Sequence, residues 1–150
     1  MTTFTIQIIS DSVCPWCYIG LRRLTRAIST HLTAHPTDKF TLTWTPFYLN
    51  PAAPGYPGVD KAAYYESKFG TARTEAIFAR LAAVGEGEGV KFKFGGRTGR
   101  TRDSHRLIWW AGVKERERGN EGGVIGGLQT RVVEGLFRAY FEEERNVTER

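Results

Sequence analysis

At 150 residues, with 41% hydrophobic and 13% aromatic residues, the chain has the material for one domain with a packed core, which excludes global disorder. The formal charge of +5 raises nucleic acid as a partner, and Lys91, Lys93, Arg97, Arg100, Arg102 and Arg106 lie close together. Yet Lys114-Glu115-Arg116-Glu117-Arg118 mixes signs as a solvated helix face does, so the reading is a basic surface with neither a nucleic-acid nor a membrane partner.

Met1-Thr2-Thr3 enters a short apolar run with no basic n-region and no long apolar segment, so neither a secretory signal nor a membrane span is expected, and the expected location is the cytoplasm. Phe4, Ile6 and Ile8 alternate with Thr5 and Gln7, and Ile9 extends the apolar character; residues 3–10 read as a mostly buried strand. Asp11-Ser12 ends it. Cys14-Pro15-Trp16-Cys17 then opens a helix whose apolar positions Leu21, Leu24, Ile28 and Leu32 recur at three- and four-residue spacing, stopping before Pro36. Phe40, Leu42 and Trp44 alternate with threonines in a second strand stopped by Pro46. These elements spell βαβ, with parallel strands and the helix N-terminus at the carboxyl edge of the sheet.

Residues 50–58 are a loop, Lys61 to Phe69 a helix closed by Gly70, and Arg73 to Val84 another, broken by Gly85-Glu86-Gly87-Glu88-Gly89. Val90 to Phe94 reads as extended, Asp103 as the cap of a helix over Ser104 to Arg118, and Asn120 to Gly127 as loop. Trp109-Trp110 reads as core. Leu128 to Glu144 is the clearest late helix, and Asn146 to Arg150 looks like the start of a further one, capped by Asn146 or Thr148. Two parallel strands are few for an α/β sheet, so the chain is expected to lack a C-terminal piece, the alternative being a frayed tail.

The two cysteines carry the chemistry. A thiolate attacks disulfides and a thiol hardly does, so a redox dithiol needs a cysteine that ionises easily. A helix N-terminus supplies this through unpaired N–H groups and its positive partial charge. With Cys14 as N-cap, Pro15 falls at the first helical position, where its missing N–H costs nothing, and Cys17 lies one turn in. Cys14 is therefore read as the nucleophile and Cys17 as the resolving thiol. The rival is zinc, because His31 and His35 complete a Cys2His2 spacing. In one continuous helix, however, Cys17 and His31 would lie about 21 Å apart along the axis. No metal is expected, and the histidines read as residues of the helix C-terminus.

Ser10-Asp11-Ser12-Val13-Cys14-Pro15-Trp16-Cys17-Tyr18-Ile19-Gly20 resembles the active-site segment of the DsbA-like thioredoxin-fold family, in particular its FrnE-type branch. Gly96 to Leu107 resembles that branch's insertion motif and Val133 to Phe141 its following helix. The resemblance implies an α/β fold: a thioredoxin-like β-α-β half over residues 1–50, a helical insertion domain over 51–150 packed with it as one unit, and a C-terminal sheet half absent from this chain. It also implies a thiol–disulfide oxidoreductase whose partner is a thiol or disulfide, either protein or glutathione. No bound cofactor is implied. The sequence departs from the pattern in lacking the family's cis-proline loop, in Arg100 where Asn is expected, and in an extra loop over Glu121 to Gly127. The alternatives are a glutathione-dependent isomerase or transferase on the same scaffold, against which the paired cysteines argue, and an inactive fragment or binding module.

Supporting roles follow. Trp16 either shapes the substrate surface or packs. Asp11 either assists proton transfer to Cys17 or ends the strand in a turn, the reading preferred here. Arg100, Thr101 and His105 form either a polar rim that binds a thiol substrate or a set of capping and surface groups.

Overall fold

The computed structural model describes residues 1–119 and 126–148. Most of the loop expected at 120–127, and the last two residues of the further helix expected after Asn146, lie outside the described residues. β1 (Thr3–Ser10), α1 (Pro15–Ala34) and β2 (Lys39–Pro46) form the βαβ unit. The strands pair in parallel from Thr3↔Lys39 to Ser10↔Pro46. Because side chains alternate along a strand, Phe4 and Phe40 share the face that meets His31 of α1. Leu42 and Trp44 are buried. The opposite face is polar, with Thr41 bonded to Thr5 and Gln7 to Thr45. The reading of β1 as mostly buried is therefore corrected: only Ser10 in it is buried, and Ile9 is 63% exposed.

After β2 the chain forms β3 (Val59–Asp60), α2 (Lys61–Phe69), α3 (Thr71–Gly87), β4 (Arg97–Thr98), α4 (Arg102–Glu117) and α5 (Leu128–Phe141). β3 and β4 pair antiparallel. Asp60 caps α2 by accepting from the Ala63 N–H at 2.9 Å. The glycine run after Val84 does not break α3 where expected. Helix continues through Gly85 because the following chain crosses it there: a Cβ on Gly85 would sit 2.5 Å from the Phe92 ring and 2.7 Å from the Val90 carbonyl oxygen. The turn comes at Gly89, with φ of 72°. Val90 to Phe94 joins no sheet; instead Phe94 stacks on Phe78 and Phe92 meets Phe141 edge-on.

The cap of α4 is Thr101 rather than Asp103. Asp103 lies in the first turn, 3.2 Å from the guanidinium of Arg106. α5 ends at Phe141, three residues short of expectation, and Glu144 adopts φ of 57° as the chain reverses. Asn146 turns the following chain by accepting from the Thr148 N–H at 3.0 Å.

One hydrophobic cluster joins the βαβ unit to the later helices through Tyr18, Leu21, Trp44, Val90, Ile108, Val133, Phe137, Tyr140 and Phe141. The spacing of Val133, Phe137, Tyr140 and Phe141 places all four on the inner stripe of α5. Tyr18 stacks on Phe137 at 5.1 Å, so the first turn of α1 is anchored directly on α5. Emptying the fully buried Phe137 site by Phe137→Ala is expected to cost about 3–5 kcal/mol. Lys61 is buried at the start of α2, donating to the Tyr140 carbonyl at 2.9 Å with its Nζ 3.9 Å above the Tyr140 ring. Desolvation lowers its ammonium to about 8. Trp109 and Trp110 are not core: they are 63% and 50% exposed on α4, whose inward face carries Ile108 and Ala111 instead.

Candidate active site

Cys14 occupies the N-cap of α1 and Pro15 follows at the first helical position, as the motif predicts. The Cys14 carbonyl accepts from the N–H groups of Cys17 at 3.1 Å and Tyr18 at 3.3 Å, which opens the helix, and the Cys14 N–H donates to Asp11 O at 3.1 Å, which makes the turn before it. Both cysteines are unbridged and partly exposed.

The two thiols ionise as a pair. The Cys14 thiol donates to Cys17, and this bond, with help from the Ser10 hydroxyl and the Asp11 backbone, lowers Cys17 to about 6 against the cost of burial. The same bond, then burial and the adjacent charge, raises Cys14 well above the usual thiol range, although backbone N–H groups of Cys17 and Trp16 favour its anion. The pair thus loses its first proton easily and its second with difficulty, since two neighbouring anions repel.

Asp11 is 2% exposed, and both its carboxylate oxygens are engaged. Oδ2 accepts from the Leu49 N–H at 2.8 Å; Oδ1 lies 3.2 Å from Nε2 of His105. That nitrogen is also 3.0 Å from the Phe47 carbonyl oxygen, so it carries the proton and donates to both acceptors. Asp11 therefore makes the expected turn with its backbone, while its side chain ties the segment after β2 to α4. Its charge opposes the ionisation of Cys17. A second tie runs alongside: Ser104 donates to Thr101 O at 2.8 Å, leaving its oxygen to accept from Ser12 at 2.6 Å.

A cavity of about 390 Å³ opens over the N-terminus of α1. Cys14, Pro15 and Trp16 form one wall, and Cys17 does not reach it. Tyr64, Tyr65, Lys68 and Phe69 of α2, with Ile77, Arg80 and Leu81 of α3, form the facing wall. Trp16 is 46% exposed, with the Arg80 guanidinium 5.5 Å from its ring centroid. Burial, and then the charge of Cys14, raise the Tyr65 phenol to about 12.

Of the residues expected at a polar rim, Thr101 lines the cavity, His105 is buried behind Asp11, and Arg100 is exposed away from the lining, its N–H donating to Pro54 O at 2.8 Å. The walls from α2 and α3 were not foreseen. Tyr64 and Lys68 stand four residues apart, so their shared helix face was readable, but nothing local said what that face meets. Among the described residues, no cluster of three or more His, Cys, Asp or Glu side chains could hold a metal ion. Cys17 and His31 lie on the single uninterrupted helix α1, which keeps them apart. Among the described residues, no helix is long and apolar enough to cross a membrane.

The sequence profile of the DSBA-like thioredoxin domain matches residues 5–150. A probable DsbA oxidoreductase from Streptomyces coelicolor superposes with a TM-score of 0.75 at 25% identity, over 97% of this chain and 57% of that one. The chain thus spans little more than half the length of that relative. Among curated proteins it has no significant match.

Proposed function

Because the chain belongs to the DSBA-like thioredoxin domain family, we propose that it is a thiol–disulfide oxidoreductase in which Cys14 is the nucleophile and Cys17 the resolving thiol. The observation that carries this reading is that Cys14 lines the cavity at the N-terminus of α1, while Cys17 stands one turn behind it.

In the first step Cys14 passes its proton to Cys17 and attacks one sulfur of a substrate disulfide. A mixed disulfide forms and the other sulfur leaves as a thiolate. Cys17 then attacks Cys14 and gives its proton to the departing substrate sulfur, releasing the second substrate thiol and leaving the Cys14–Cys17 disulfide. Two electrons pass from the dithiol to the substrate, and the reverse sequence oxidises a substrate dithiol. Backbone N–H groups at the helix N-terminus favour an anion on Cys14, and Cys17, the more easily ionised of the pair, takes up the Cys14 proton as Cys14 attacks. A glutathione-dependent isomerase on this scaffold would need no resolving thiol, and the paired cysteines favour exchange. Dithiol exchange measured for the wild type and for Cys14→Ser tests the proposal: loss of exchange in the variant is expected, and equal rates would overturn it.

A further inference from the structure

The wall facing Cys14 combines an apolar surface with two cations that, among the described residues, have no anionic partner. Phe69, Ile77 and Leu81 supply the apolar part. Lys68 and Arg80 lie on its exposed edge, and among the described residues neither forms an ion pair; their neighbours are aromatic rings, those of Tyr64 and Phe69 for Lys68 and that of Trp16 for Arg80. Among the described residues, the only carboxylate in the lining is that of Asp11, and both its oxygens already accept hydrogen bonds. A pair of cations left uncompensated at the mouth of an apolar pocket attracts an anion.

We propose, building on the exchange reaction above, that this cavity selects a small-molecule disulfide with an apolar, preferably aromatic, body and a carboxylate or similar anionic group, held with its sulfur at Cys14 and its anion between Lys68 and Arg80. The volume, about 390 Å³, suits a small molecule rather than a folded protein surface. Trp16, with the Arg80 guanidinium 5.5 Å from its ring centroid, forms the side of the slot and gives a flat body an aromatic and cationic edge to lie against. The chemistry is the exchange already described: the small disulfide is reduced to two thiols as Cys14 and Cys17 are oxidised.

The test uses the reduced protein and three probes: 5,5′-dithiobis(2-nitrobenzoate), which is aromatic and anionic; 4,4′-dithiodipyridine, aromatic and neutral; and a linear acidic peptide disulfide. Each rate is divided by that of 2-mercaptoethanol with the same probe, which removes intrinsic reactivity. The normalised rate for the anionic aromatic probe is expected to exceed that of the neutral one about tenfold at low ionic strength, and the advantage should shrink as salt is added. In a Lys68→Gln/Arg80→Gln variant the ratio should fall towards one, and in Lys68→Glu/Arg80→Glu it should invert. A ratio that ignores both variants, or an acidic peptide that outruns the small anionic probe, overturns the inference. Cys14→Ser separates the two claims: if it reacts like wild type the exchange reading fails, whereas a silent Cys14→Ser beside an unselective wild type removes only the inference about substrate.

Discussion

The two ends of α1 carry the residues that a zinc spacing would unite, and the fold gives them opposite environments. At the N-terminus, Cys14 and Cys17 ionise as a pair and remain partly exposed, and Cys14 lines a cavity. At the other end His31 is clasped. Its Nε2 is 3.0 Å from Asp38 Oδ2, it stacks on His35 at 4.6 Å, and Phe4 and Phe40 each meet it edge-on at 5.4 Å. Asp38 also accepts from the Thr2 N–H, and its carboxyl is held below the usual range, chiefly by His31. One end leaves its polar atoms free to change partners; the other spends them on holding the start of β1 to the loop before β2. A spacing that suits a metal therefore marks two separate jobs once a straight helix lies between its halves.

The sharpest break between the ends is expected from Cys14→Ser, which should reduce exchange to the rate of the reaction in solution, measured by turnover of a dithiol substrate. Cys17→Ser should stop turnover while allowing a single substrate adduct to accumulate on Cys14, visible in the intact mass. Asp11→Asn keeps one carbonyl oxygen where two carboxylate oxygens now accept. We expect a loss of about 1–3 kcal/mol in denaturant unfolding. It also removes the charge that opposes Cys17 ionisation, so the inflexion of thiol alkylation against pH should move below its wild-type position near 6.

A smaller effect links ionisation to folding. Cys17 titrates at about 6 in the folded chain against 9.0 ordinarily, so between these values the unfolded state binds more protons and stability rises with pH. This contribution is complete above pH 9 and lost as pH falls through 6. The raised Cys14 acts in the opposite sense only above its ordinary value, also 9.0. The reduced protein should therefore gain melting temperature between pH 6 and 9 relative to the Cys14–Cys17 disulfide form, and identical pH profiles for the two forms would contradict the paired ionisation. The smallest effect on chemistry is expected at the far end of the helix. His31→Ala should lower the melting temperature and leave the exchange rate unchanged; a change in cysteine reactivity would reconnect the two ends.

Much of the frame was legible because it is local. Alternation in Phe4 to Ile8 and in Phe40 to Trp44, the helical stripe between them, and proline after Cys14 concern neighbours a few residues apart. The same rules misled where a distant partner intervened. Gly85 looks like a helix breaker, yet the helix passes through it because Phe92 needs the room. Trp109 and Trp110 look like core by composition alone, but the buried face of α4 runs through Ser104, Ile108, Ala111 and Glu115. His105, open in the sequence between a rim residue and a capping or surface group, supports Asp11 from behind.

By itself, the sequence determined the βαβ unit and the placing of a cysteine pair at a helix N-terminus, since periodicity, capping and the geometry of proline act within a turn or two of the chain. Only the tertiary structure decided what surrounds that pair. The contact between Asp11 and His105 spans 94 positions, and the wall facing Cys14 comes from two helices, the first of which starts at Lys61 and the second at Thr71. Such contacts follow from which apolar faces bury each other, and no local pattern around Cys14 encodes that.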